Sequence, residues 1–121
     1  DLDAVNPGYL LILYGKNDVI NGVDTEAAAG AIQAMVDAAL ANGTRPLLAT
    51  LPGMSGSWQT RFGGAVEALN SRIRSIGSSG GVVLVDLNRA FDGRRDEWIP
   101  NGRHPNEAGM RAIASEFAKH L

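Results

Sequence analysis

The chain has 121 residues, 45% of them hydrophobic, with 11 basic and 13 acidic side chains. That is one small domain, able to bury a real core of limited size. A net charge of −2 with no basic patch argues against nucleic acid as a partner, no apolar run is long enough to span a membrane, and two histidines with no cysteine leave no basis for disulfides, thiolate chemistry or a structural zinc site.

Taken in chain order, Asp1 to Gly8 reads as a lead-in with a Pro7-Gly8 turn. It opens on aspartate rather than methionine, which points to an N-terminus set by processing or cutting, and no secretory signal is visible. The composition does not fix a compartment. Tyr9 to Tyr14 is a continuous apolar run, too short for a typical helix and without alternation, the pattern of a strand covered on both faces of a parallel sheet. Gly15 ends it, and Lys16, Asn17 and Asp18 follow at the strand's C-terminal end, the edge where open parallel sheets bind ligands. Asn21-Gly22 is a turn. A helix capped by Asp24 or Thr25 then runs to about Ala41 on the face Ile32, Met35, Val36, Ala39 and Leu40, and Gly43 stops it.

Arg45 to Leu51 is the second strand, and Pro52 to Ser57 a loop on the same edge as Asn17. A second helix spans about Thr60 to Ile76, with Phe62, Val66, Leu69, Ile73 and Ile76 inward and Arg61, Glu67, Arg72 and Arg74 on a solvated face. Val82 to Leu87 is the third strand, after which Asn88 to Pro100 carries the chain over the strand ends. Strand and helix alternate three times, which implies right-handed crossovers and a parallel α/β sheet. The chain closes on the loop Ile99 to Met110, where Gly102 permits a tight turn, Asn106 caps and Glu107 suits the positive end of a last helix. That helix is expected to bury Met110, Ile113, Phe117 and Leu121. The loop presents His104 on backbone geometry rather than on a long flexible arm.

Two blocks carry a family resemblance. Asn101-Gly102-Arg103-His104-Pro105-Asn106-Glu107-Ala108-Gly109 resembles the last block of the SGNH (GDSL-type) hydrolases, Asp-x-x-His-Pro-Asn-x-x-Gly, and Gly15-Lys16-Asn17-Asp18 resembles their Gly-x-Asn-Asp block. The two stand in the family's order, and the likeness extends over the whole chain while matching only the C-terminal part of a family domain. The resemblance implies a three-layer, flavodoxin-like parallel sheet truncated to its last three strands with flanking helices. It also implies a cofactor-independent ester hydrolase, an esterase or deacetylase acting through an acyl-enzyme. His104 would be the general base, Asn101 the group orienting it, and Asn17 an oxyanion donor, with Gly15 and Asp18 as structural support and no metal. The pattern around His104 and the run Asp86-Leu87-Asn88 resemble carbohydrate acetyl esterases.

The departures are as informative. The serine-bearing first block and the glycine-bearing second block do not occur in this sequence, so the nucleophile would lie outside the chain. Ser55 and Ser57 sit on the active edge but lack the constrained strand-to-helix turn that activates a serine. Asn101 stands where the family has aspartate; an amide can orient an imidazole but cannot stabilise imidazolium by charge, and in a serine protease that change cost about 10⁴ in turnover. Weak or absent activity is therefore expected of this chain, with a catalytically inactive SGNH-fold binding or assembly module as the alternative. Without a neighbour, the apolar run Tyr9 to Tyr14 would be an exposed edge, which predicts a homo-oligomer or pairing with a missing N-terminal segment.

Overall fold

The structure is a computed structural model that describes residues 8–121. The lead-in before Gly8 lies outside the described residues. Three strands, β1 (Tyr9–Ile12), β2 (Arg45–Ala49) and β3 (Val83–Val85), form one sheet in the order β1-β2-β3. Both pairings are parallel, with Leu11 opposite Leu47 and Leu48 opposite Leu84. This is the α/β parallel layer that the alternation of strand and helix implied.

Among the described residues, six helices flank it: α1 (Lys16–Ile20), α2 (Thr25–Ala41), α3 (Gly56–Gly77), α4 (Leu87–Ala90), α5 (Arg95–Trp98) and α6 (Glu107–Ala118). Side chains alternate across a strand, so β2 feeds two separate cores. Leu48 packs with Ile12, with Val19 of α1, Ile32 and Val36 of α2, and Leu69 and Ile73 of α3. Leu47 and Ala49 pack on the other face with Val85, Leu87, Phe91, Ile99, Ile113 and Phe117. Helices α1–α3 thus cover one face and α4–α6 the other, giving three layers.

Several boundaries differ from the sequence reading, each for a local reason. A short helix absent from the sequence reading holds Asn17 and Asp18, because α1 begins at Lys16 directly after Gly15, whose φ of 125° turns the chain. The third strand stops at Val85, because the Asp86 carboxylate caps α4 by accepting from the Arg89 amide. The segment from Asn88 to Pro100 holds α5 and most of α4 rather than a plain connection. Helix α3 starts at Gly56, four residues before the expected Thr60. Asp24 and Asn106 do cap α2 and α6 through their side chains.

β1 is covered on one face only. Leu10 and Ile12 turn to the α1–α3 side, whereas Tyr9 is 43% and Leu11 49% exposed on the other. Leu40, Met110 and Leu121, assigned inward by their helical spacing, are exposed as well.

Two polar clasps fix the strand ends. Asn70 of α3, fully buried, accepts from the Leu51 amide at 2.7 Å and donates to the Leu51 carbonyl at 3.0 Å. Asp86 accepts from Thr50 Oγ1 at 2.9 Å and from the Arg74 guanidinium at 3.1 and 3.3 Å, joining β2, β3 and α3. Partial burial alone would raise the Asp86 pKa, but the hydrogen bonds from Arg74, Thr50 and the Arg89 amide, with the Arg74 charge, hold it below the usual aspartate value. Arg74 is therefore not merely on a solvated face.

Candidate active site

The C-terminal ends of the parallel strands open into a cleft of about 450 Å³. Its walls include Leu13, Leu51, Ile99, Met110 and Ile113, and its polar groups include Lys16, Asn17, Asp18, Arg103 and His104. The two sequence blocks, separated by most of the chain, therefore meet on one rim. Met110 is 55% exposed because it lines this cleft instead of the core.

The histidine loop is built from both sides. Gly102, with φ of 91°, gives its carbonyl to the Ser55 amide and its amide to the Ile99 carbonyl, each at 3.0 Å. Ser55 is buried, and its hydroxyl donates to the Ile99 carbonyl at 2.5 Å. That bond makes Ser55 a brace of the loop and removes it as a nucleophile. On the C-terminal side Asn106 Nδ2 donates to the Glu97 carbonyl, while its Oδ1 caps α6 at the Gly109 amide. Gly109 is required there, since a Cβ would lie 2.8 Å from the Trp98 carbonyl.

Asn17 sits in the first turn of α1, exposed, and among the described residues its carboxamide has no hydrogen-bond partner. Its N–H groups are free to meet a ligand oxygen. Gly15 allows close packing, because a Cβ would lie 2.6 Å from Leu69 Cδ2. The Asp18 carboxylate faces the Tyr14 phenol, whose pKa it raises by hydrogen bonding and by charge.

Asn101 does not line the cleft. Its Oδ1 accepts from the amides of Arg103 at 3.0 Å and His104 at 2.8 Å, shaping the loop as an Asx turn. Neither acidic neighbour replaces it at the imidazole: Glu97 pairs with Arg94 at 2.7 Å, and Asp96 does not reach the cleft.

The group that does reach the imidazole is Lys16, which no sequence feature singles out beyond its place inside the first block. Lys16 Nζ lies 3.3 Å from His104 Nδ1 and donates to the Arg103 carbonyl at 3.2 Å. An ammonium can only donate, so this contact holds the imidazole proton on Nε2. The Lys16 charge, some desolvation and the Arg103 charge lower the His104 pKa from the usual histidine value. Desolvation and the Arg103 charge lower that of Lys16 too. Lys16→Met is expected to move the His104 titration back up toward that of a free histidine, as followed by NMR of the imidazole C2–H. An unmoved midpoint would show that the two groups do not interact in solution.

Among the described residues no three His, Asp or Glu side chains gather as a metal site, and no helix is long and apolar enough to cross a membrane. A family model described as the GDSL-like lipase/acylhydrolase family matches residues 1–112. The chain belongs to that family. No curated protein matches the chain. Membership in a GDSL-like acylhydrolase family suggests an ester hydrolase, and the block likenesses at Gly15–Asp18 and Asn101–Gly109 lie within the matched span.

Proposed function

We propose that this chain is the base-bearing, C-terminal portion of a cofactor-independent carboxylic ester hydrolase, an esterase or deacetylase. His104 is the general base, Asn17 donates to the oxyanion, Gly15 and Asp18 support that donor, and Asn101 orients His104 by fixing the loop that carries it. The nucleophile is a serine outside these 121 residues. Its Oγ attacks the ester carbonyl while its proton passes to the imidazole; the alcohol departs with that proton, and water then cleaves the acyl-enzyme to the free acid. A short acetyl ester on a carbohydrate is the preferred substrate. The observation that carries this reading is that His104 and Asn17 line one partly apolar cleft at the C-terminal strand ends.

A second reading, a catalytically inactive binding or assembly module, is favoured by Lys16. A base working through Nε2 needs its proton on Nδ1, where Lys16 imposes the reverse. The half-covered β1 edge suits assembly with a second copy or with an N-terminal segment. In that case light scattering at high concentration gives a mass above the monomer, and a monodisperse monomer rejects self-association.

The deciding test is p-nitrophenyl acetate hydrolysis by the chain alone and by the chain joined to whatever its gene encodes upstream of Asp1. Hydrolysis by the joined form, abolished by His104→Ala and lowered about 10²–10³-fold by Asn17→Ala, supports the enzyme. Equal background in all forms leaves the module.

A further inference from the structure

We propose that Lys16 and Arg103 form an anion subsite beside His104, so that the cleft selects esters carrying a carboxylate or phosphate group. The claim about substrates rests on the ester-hydrolase reading above; the claim about binding does not.

Lys16 and Arg103 both line the cleft, and among the described residues neither forms an ion pair. Elsewhere Arg72, Arg74, Arg94, Arg95, Arg111 and Lys119 each pair with a carboxylate, and of the cations without an ion pair among the described residues Arg45, Arg61 and Arg89 lie away from the cleft. Lys16 Nζ spends two donors, on the Arg103 carbonyl and on His104 Nδ1, and keeps a third. Arg103 Nε is buried with no partner among the described residues. Buried donors are seldom left so, because an unmade hydrogen bond costs free energy. The guanidinium lies 5.0 Å from the Trp58 ring centroid, a contact that fixes its plane.

The surroundings of Lys16 also act on its charge. Lys16 is partly desolvated and feels the Arg103 charge, an arrangement that disfavours the charged lysine until an anion offsets it. Among the described residues, the one carboxylate on the same cleft, Asp18, faces Tyr14. Beside the cations, Leu51, Ile99 and Ile113 offer an apolar wall for the uncharged part of a ligand. A charged-at-one-end ester fits that division, with its scissile carbonyl between Asn17 and His104.

The test needs no turnover. Sodium phosphate and sodium butyrate are titrated separately into the chain at constant ionic strength. NMR follows the His104 imidazole C2–H and the Trp58 indole N–H. Saturable shifts at both residues are expected, with the His104 pKa rising as the bound anion offsets the cations. Lys16→Met and Arg103→Met should each weaken binding about tenfold or more, the usual effect of losing a charged hydrogen bond. Lys16→Arg should keep it. Saturation by phosphate alone assigns phosphate-bearing esters, and by butyrate alone carboxylate-bearing ones. Shifts that never saturate, or that persist unchanged in both Met variants, overturn the subsite. Ester hydrolysis without anion binding sinks this inference only, and anion binding without hydrolysis sinks only the enzymatic reading.

Discussion

Asn70→Ala is expected to lower stability by about 2–5 kcal/mol, a large part of what a domain of this size possesses. Asn70 is 1% exposed, and its carboxamide satisfies both main-chain groups of Leu51, at 2.7 and 3.0 Å. Truncation leaves a buried amide and a buried carbonyl without partners, each worth about 1–3 kcal/mol, and adds a small cavity. Melting should fall by about 10 °C or more, and the denaturant midpoint should fall with it. Asn70→Leu separates the two causes. It restores volume but not hydrogen bonds, so it should remain nearly as unstable as the alanine variant. If leucine rescues the midpoint, the clasp is a packing feature and the argument from unmade bonds is wrong. Because Leu51, Pro52 and Gly53 line the cleft, the same variant should loosen the rim opposite His104.

Gly102→Val should release the histidine loop. A β-branched residue at φ of 91° costs about 1–3 kcal/mol in backbone strain. The Cβ would also lie 2.6 Å from Trp58 Cδ1 and 2.9 Å from the Ser55 carbonyl oxygen. Main chain cannot step aside as a side chain can, so the loop itself must move. The contact between Lys16 and His104 should then break, and the His104 titration should rise toward a free histidine. Gly93→Val is the control, because Gly93 shares a positive φ of 76° while a Cβ there meets nothing within 4 Å. Equal stability loss and an unshifted His104 in both variants would leave backbone strain alone as the cause.

The large outline was legible in the chain because long apolar periods dominate it. The stripes of α2 and α3, the stop at Gly43 and the cap at Asn106 follow from local rules, and the parallel order follows from the alternation of strand and helix. What was not legible depends on partners distant in sequence. Asn70 reads as one polar residue in a helix until Leu51, nineteen positions earlier, is laid against it. Ser55 reads as an exposed loop hydroxyl until Ile99 is above it. Met110 has core spacing, yet its face of α6 borders a cleft. The short helices α1, α4 and α5 have too few residues to establish a period, and Asp86 passed for a strand residue between Val85 and Leu87. Along the cleft, His104, Asn17 and Gly15 occupy positions that the two blocks specify. Lys16 and Arg103 occupy the positions those blocks leave unspecified, so only the folded arrangement draws attention to them.

The two-sided core has a bearing on how such a chain can change over time. The carboxamide of Asn17 is anchored through α1 to the layer on one side of β2, and the imidazole of His104 through α5 and α6 to the layer on the other. The two coats also meet beyond the sheet, where Ser55 and Trp58 at the start of α3 hold the loop of His104, so α3 bears on both anchors. Substitutions inside β2, at Leu47, Leu48 or Ala49, and at the start of α3, at Ser55 or Trp58, are thus the ones that reset both halves of the rim together.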